Sequence, residues 1–338
     1  MAFGIPLLLA ALGFDAGPAM TALWRGSFGS YDAITSGTLV RATPVMLTGL
    51  SVAIAFRAGV FNIGAEGQFL AGAAAATSLS MLPVLGASYA SSPLALVAGA
   101  IAGGAWAAVA ALLRARFRVL EVISTILLNF IALYLVGYLV RGPLQEPLHI
   151  YPQSKTIAVA ARLSRLLPSS RLHAGFLIAV AAALAAWWIL KFTAAGFRLR
   201  AVGANADASR SAGMIDVSRT TTQAFVVSGA LAGLAGAIEL TGVTFALYEN
   251  ISPGYGYTGI AVALLARLDP LGVVASSLVF GGLEAGATAM QRDAGVPSVV
   301  VSVIEAIIVL GLIVAWPQAR RMSIRRGQQL PTSEPAET

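Results

Sequence analysis

Long apolar runs recur along almost the whole chain, and no other feature constrains its fold as strongly. A helix crossing the hydrocarbon core of a bilayer needs about 20 mainly apolar residues, since each residue advances it by about 1.5 Å. The runs at 38–56, 63–82, 93–113, 120–140, 174–193, 222–246, 271–290 and 298–316 reach that length. Two others fall short. Residues 1–14 would extend about 21 Å and read as a truncated first span; they lack the basic start and small-residue cleavage site of a secretory signal. Residues 256–268 begin among Gly254, Gly256 and Gly259, which fits a broken or half helix. The expected fold is all-α, a polytopic membrane bundle of about 8 to 10 spans.

Composition narrows the function classes. Only 11% of the 338 residues are charged and 57% are hydrophobic, against about 25% charged in an ordinary soluble domain. A soluble enzyme, a disordered chain and a nucleic-acid binder are excluded, the last because the 22 basic residues are thinly spread along an apolar chain. With no Cys, disulfides, thiolate metal sites and Cys nucleophiles are excluded too.

An even number of spans puts both termini on one side. Arg114, Arg116 and Arg118, then Lys191, Arg198, Arg200, Arg210 and Arg219, then Arg320, Arg321, Arg325 and Arg326 all fall on the same face by parity, which makes that face cytoplasmic. By the same parity 141–173 is external, although it carries Arg141, Lys155, Arg162, Arg165 and Arg171. Pro143, Pro147, Pro152 and Pro168 fit a folded surface excursion there. One membrane domain covers 1–318, and the tail 319–338, with Pro331 and Pro335, reads as disordered and cytoplasmic.

Inside the spans, Gly99 and Gly103, Gly229 and Gly233, and Gly282 and Gly286 have the spacing that lets helix backbones approach closely in lipid. Glu66, Glu121, Glu239, Glu284 and Glu305 lie in or at the ends of spans, where a carboxylate must face the bundle interior or a wet cavity. Glu239 and Glu284 sit among glycines, so each either ties two helices or lines a route. Neither has a second ionisable group one turn away to relay a proton. Asn129 and Gln223 are amides that a lipid-facing helix disfavours. Asn129 has Phe130 and Tyr134 beside it, a setting that suits a sugar or a base.

Two polar segments stand out. In 57–72, RAGVFNIGAEGQFLAG, Asn62, Glu66 and Gln68 alternate with Gly59, Gly64, Gly67 and Gly72. Glycines permit a non-helical turn at the mouth of a span, and the polar side chains can satisfy the backbone groups it frees. An ordinary interfacial turn capped by Asn62 is the plainer reading. In 194–220, Asn205 suits an N-cap, Asp207 a first helical turn and Gly213 the position just past a short helix. That helix either rests on headgroups or docks to a cytoplasmic partner. No GxxxxGK[ST] occurs, neither Lys155 nor Lys191 stands in a phosphate cradle, no HExxH occurs, and His149 and His173 both fall in the external loop. The pattern is that of a conduit with no nucleotide site, no metal and no cofactor of its own.

Four stretches, FRAGVFNIGAEGQFLAGA (56–73), GFRLRAVGANADASRSAGM (196–214), SGALAGLAGAIEL (228–240) and GYGYTGIAVALLARLDPLG (254–272), resemble permease subunits of bacterial ABC importers of the branched-chain amino acid, ribose and simple-sugar class. The resemblance covers about residues 20–318 and is closest to the nucleoside and simple-sugar uptake branch. It implies a second homologous permease or a second copy, cytoplasmic ABC ATPase subunits that carry ATP and Mg, an external solute-binding lipoprotein, and a place in the bacterial inner membrane. It also puts 196–214 in the loop that docks into the ATPase, with Arg198, Arg200, Gly203, Asn205, Asp207, Arg210 and Gly213 as docking residues. Asn62, Glu66, Gln68, Asn129, Glu239 and Tyr257 are the candidates for the substrate path. Two departures stand out: the short first span, and Ala208-Ser209 where similar subunits carry paired alanines. The competing expectation is an ion-coupled secondary transporter working through Glu239 or Glu284.

Overall fold

The computed structural model describes residues 13–82, 90–213 and 215–297, with 9–10, 88, 299–300, 303 and 306–307. Most of the expected span at 298–316, including Glu305, the tail at 319–338, and most of 1–14 lie outside the described residues. Among the described residues every regular element is helical. In chain order they are α1 (Ala16–Ser27), α2 (Leu39–Arg57), α3 (Ala65–Ser80), α4 (Ser91–Phe117), α5 (Glu121–Arg141), α6 (Gly175–Phe192), α7 (Ala194–Ala204), α8 (Ala206–Ser211), α9 (Val217–Glu239), α10 (Tyr255–Leu265) and α11 (Pro270–Ala294). A π-helical turn, Ala33–Thr38, leads into α2, and another, Leu240–Thr244, prolongs α9.

Six of these helices, with their π extensions, are long and apolar enough to cross a membrane: Ala33–Arg57, α4, α5, α6, Val217–Thr244 and α11. Aspartates start three of the helices. Asp15 accepts the Gly17 N–H (3.1 Å), Asp216 the Arg219 N–H (2.9 Å) and Asp269 the Gly272 N–H (2.9 Å), with Pro270 in the first turn of α11. Each carboxylate satisfies an otherwise orphaned donor and favours the positive end of the helix dipole.

Burial separates the centre from the rim. The spanning window of α2 is 83% buried, against 39% for α4, 33% for α5 and 28% for α6. So α2 is the axis of the bundle, and α4, α5 and α6 present wide faces outward. Beside α2, the helices α3, α4 and α9 approach at backbone distance. A methyl group at Gly72 would fall on the Gly233 backbone, one at Gly233 on the Gly99 carbonyl, and one at Gly103 on the Gly229 carbonyl. Gly282 and Gly286 do the same for α1, against the Phe28 ring and Ser27. All three expected glycine spacings are therefore contact surfaces where only hydrogen fits.

Two of the apolar runs form helices too short to span. The run expected as a full span over 63–82 is the 16-residue α3, and the run at 256–268 is the 11-residue α10. At about 1.5 Å per residue they reach roughly 24 and 16 Å. After α2 the chain turns at Gly59 (φ +72°) and runs back into the bundle before α3 begins. Similarly, 245–254 descends between helices and starts α10 at Gly254 (φ +103°), with the Tyr255 carbonyl held by Thr48 (2.9 Å), halfway along α2.

The 142–174 segment is folded onto the descending chain. Ser154 and Ile157 donate their N–H groups to the Leu247 and Phe245 carbonyls (2.7 and 2.8 Å), and Leu163 donates to Thr241 (2.9 Å). Arg162 lies over the Phe245 ring at 4.4 Å, which gives one of the basic residues of this loop a local role. His173 is buried at its root; its Nδ1 accepts the Gly175 N–H (3.2 Å) and its Nε2 has no partner among the described residues.

Two predictions follow from this packing. Gly233→Leu drives a side chain into the Gly99 backbone, and thermal unfolding in detergent should show a loss of about 3 kcal/mol or failure to purify as a monodisperse species. Burial, helped by the Arg171 charge, pulls the His173 imidazole from 6.5 down to about 4. A depressed pKa in the fold stabilises it fully above the unfolded value and is lost as pH falls through the folded one. Thermal stability should therefore decline between about pH 6.5 and 4, and His173→Gln should flatten that part of the profile.

Candidate functional site

The two broken segments meet. Glu66, in the first turn of α3, accepts the N–H of Gly256, in the first turn of α10, at 2.7 Å, and the Ser252 side chain also hydrogen-bonds to it. The backbones touch as well, since a methyl group on Gly256 would fall on the Glu66 N atom. Two helix N-termini, each equivalent to about half a positive charge, thus converge on one carboxylate. Around this junction the amides close the remaining gaps. Asn62 Oδ1 accepts from the Gly64 N–H (2.9 Å) and from Gln68 Nε2 (3.0 Å), while its Nδ2 donates to Gln68 Oε1 (3.0 Å) and Ser228 Oγ (2.8 Å). Ser228 Oγ in turn pairs with Ser51 Oγ at 2.9 Å. Asn129 Oδ1 accepts the Gly67 N–H (2.8 Å), and its Nδ2 donates to the Ile63 carbonyl (2.9 Å) and Tyr257 Oη (3.3 Å).

Of the six candidate path residues, then, Asn62, Glu66, Gln68, Asn129 and Tyr257 form one connected cluster. Asn62, Glu66, Gln68 and Asn129 are buried, and Asn62 has both amide atoms engaged within the break; Tyr257 is the one with an exposed ring, at 46%. Glu239 is also buried but stands apart, at the end of α9 nearer His173, where Glu284, Arg171 and Arg41 are its charged neighbours. Along its own helix Glu239 has no second ionisable group one turn away. The fold brings that company from α2, α11 and the 142–174 loop. Arg25, Arg41, Arg171, Arg292, Asp32 and Asp293 line a cavity of about 340 Å³ at that end.

The docking candidates lie at the other end of the bundle, where Arg210 and Arg114 border a common recess. One short helix was expected in 194–220, and the structure has two. Thr193 caps α7 through the Gly196 N–H (3.2 Å), and Asn205 interrupts the run and caps α8 through the Asp207 and Ala208 N–H groups (3.0 and 2.9 Å). Arg210 pairs with Asp207 at 2.7 Å. Gly213 follows α8 with φ +70°. The side chains of Arg198, Arg200, Asn205, Asp207 and Arg210 are exposed. Gly203 abuts the Arg57 carbonyl, and a methyl group on Gly59 would lie 3.4 Å from its Cα. The α7–α8 segment therefore sits on the turn that opens the α2–α3 break.

Sequence reasoning missed Ser51, Ser228 and Ser252. The pair Ser51 and Ser228 is separated by 177 residues, and a lone serine in an apolar helix gives no local signal.

The chain matches the family described as branched-chain amino acid transport system / permease component over residues 34–315. It is 41% identical to the guanosine ABC transporter permease protein NupP of Bacillus subtilis, covering 90% of this chain and 87% of that protein. It is 38% identical to the glucose ABC transporter permease protein TsgB13 of Haloferax volcanii, over 98% and 93% of the two chains. It is 28% identical to a further guanosine permease of Bacillus subtilis, NupQ, over 73% of this chain and 79% of NupQ. No solved structure matches it. With its broken-helix bundle, multi-pass architecture and match through most of its length, this chain belongs to the branched-chain amino acid transport system permease family and is a membrane-embedded ABC transporter permease subunit.

Proposed function

We propose that this chain forms one half of a solute path whose energy comes from ATP and Mg bound on separate cytoplasmic ATPase subunits, that those subunits dock on α7 and α8, and that the cargo is a nucleoside. One observation carries this reading. The exposed α7–α8 segment is in backbone contact, through Gly203, with the Arg57–Gly59 turn, and that turn leads within a few residues to the Asn62–Glu66 junction. A rigid-body displacement of α7 and α8 by a moving partner would reach the broken helices without deforming a spanning helix. A second permease supplies the other half of the path, since NupP and NupQ are two distinct guanosine permeases of one organism. An external solute-binding lipoprotein delivers the solute, and both termini face the cytoplasm. The nucleoside assignment follows NupP, with the sugar of TsgB13 as the alternative cargo.

The ion-coupled reading through Glu239 and Glu284 gives way to the family assignment.

In reconstituted transporter, Arg200→Glu or Gly203→Trp should lower ATP-driven uptake at least about fivefold while the ATPase subunits keep hydrolysing ATP, the range expected for losing a coupling free energy. Normal coupled uptake in both variants would remove the docking assignment. Glu66→Ala orphans the Gly256 N–H in a buried site, and should cost about 1–3 kcal/mol in thermal unfolding and impair uptake. Glu66→Gln keeps an acceptor oxygen there and should retain most of both. Equal behaviour of the two variants would show that the bond to Gly256 does not hold α10 in place.

A further inference from the structure

A cavity of about 350 Å³ lies at the docking end of the bundle, apart from the Glu66–Gly256 junction. Its walls come from the end of α2, the last turns of α6, the start of α7 and the first turns of α9, with Ile54, Leu190, Leu199 and Ala224 in its apolar lining. That volume falls within the range of sites that hold small ligands. Ile189 of α6 and Val227 of α9 also line it and are 44% and 49% exposed, so it opens sideways between two spanning helices, toward hydrocarbon. Backbone packing holds the space open. Thr193 Oγ1 donates to the Ile189 carbonyl (2.7 Å) and accepts the Gly196 N–H (3.2 Å), and a methyl group on Gly196 would fall on the Ile189 carbonyl. The elbow between α6 and α7 is therefore fixed, and no movable side chain fills the gap behind it.

The polar part of the lining is Arg198, Thr220 and Gln223, and no carboxylate belongs to it. Thr220 Oγ1 is engaged by the Asp216 carbonyl (2.8 Å), and Asp216 itself caps α9 through the Arg219 N–H. Arg198 and Gln223 are exposed, and neither hydrogen-bonds to another residue among the described residues. Arg198 stands among the docking candidates, yet it lies on the cavity side of α7, about 200° around the helix from Arg200. The end of α6 marks the depth. Trp188 is exposed there, and Lys191 lies over the Trp187 ring at 5.2 Å. Tryptophan with lysine at a helix end belongs at headgroup level. The apolar walls thus sit at acyl-chain depth and the guanidinium at the headgroups, where the positive end of α7 adds to its field. Gln223, an amide that a lipid-facing helix disfavours, has its place at the same boundary.

We propose that this cavity binds one anionic phospholipid, with the upper part of one acyl chain between α6 and α9 and the phosphate at Arg198 and Gln223. Bulk lipid would ask only for apolar walls. A guanidinium on the rim selects a phosphate, to which it makes charge-assisted, bidentate hydrogen bonds. Basic pockets between spanning helices on the cytoplasmic side take such headgroups. Assignment to the cytoplasmic leaflet rests on the orientation proposed above, whereas binding does not depend on it. A lipid seated there bridges α6, α7 and α9 and braces α7 on the side away from Arg200.

The test titrates the complete purified transporter in detergent with phosphatidylglycerol or phosphatidylcholine and counts retained lipids by native mass spectrometry. Wild type should retain one phosphatidylglycerol, in preference to phosphatidylcholine, for each copy of this chain. Arg198→Gln should weaken that retention about fivefold, the share of one basic residue at an anionic headgroup. Val227→Trp, which fills the cavity from its exposed rim, should remove one bound lipid per copy, and Arg198→Gln decides the matter if that variant does not purify. Arg219→Gln, an exposed charge on α9 outside the cavity lining, should bind as wild type does. Equal retention of phosphatidylcholine would mean a gap filled by any acyl chain, and equal loss in Arg219→Gln would mean diffuse surface charge. Displacement of the lipid by millimolar inorganic phosphate would make this a site for a soluble anion. Release of the ATPase subunits from Arg198→Gln with phosphatidylglycerol retained would return Arg198 to the docking surface. Any of these four results overturns the proposal.

Discussion

The bond between Glu66 and the Gly256 N–H is the interaction on which the rest of this architecture depends. Lipid supplies no hydrogen bonds, so a bundle that breaks two helices must find partners for every backbone group it frees. Here the two breaks meet, and a single carboxylate serves the positive ends of both α3 and α10. The neighbouring amides have the same duty: Asn62 caps the turn before α3, and Asn129 reaches across from α5 to the Gly67 N–H and the Ile63 carbonyl. Polar side chains that look in isolation like solute contacts are here the substitute for water in holding irregular backbone at depth.

Such a junction must be held in a stiff frame, because one carboxylate cannot follow two helix ends that move independently. Contact between glycines supplies that frame. Gly72, Gly99, Gly103, Gly229 and Gly233 bring α3, α4 and α9 to backbone distance, so the carbonyls and Cα atoms themselves fix the spacing. Dispersion between close backbones takes the place of the hydrophobic effect, which gives no drive between helices already in an apolar solvent. On the other side of the junction, Gly259 of α10 packs against Thr48 of α2, the most buried helix. A break that would be soft by itself is thereby tied to the least yielding parts of the bundle.

How much of this could be read beforehand depends on the range of each interaction. The apolar runs announced the spans, because span length is set locally by the helix rise. The Asn205 cap, the first-turn Asp207 and the glycine-rich start of α10 were equally local. The start of α3 was partly legible in the glycines and Asn62 of the preceding turn, whereas its tie to α10 through the Glu66–Gly256 bond, across 190 residues, was not. The same holds for Glu239: its neighbours Arg41 and Arg171 come from other elements, and helical periodicity has nothing to say about them.

The chain's charges lie mostly at the two ends of the bundle, and one foothold of the exposed α7–α8 segment on the interior is the backbone contact of Gly203 with Arg57 and Gly59. Arg57 ends α2 and also lies 4.0 Å from Asp269, the N-cap of α11. The foothold therefore touches the end of one spanning helix, the start of another and the first turn of a break. A push on α7 cannot be absorbed at Gly203, where no side chain is present to yield. It must tilt α2 as a unit or shift the 58–64 segment against Ser228. The second route is the softer, because that segment is held by side-chain hydrogen bonds, whereas α2 is held by packing along its whole length. Under the proposed docking on α7 and α8, a displacement that enters at Gly203 would reach Asn62 and Glu66 through the 58–64 segment, where the same side chains stabilise the break.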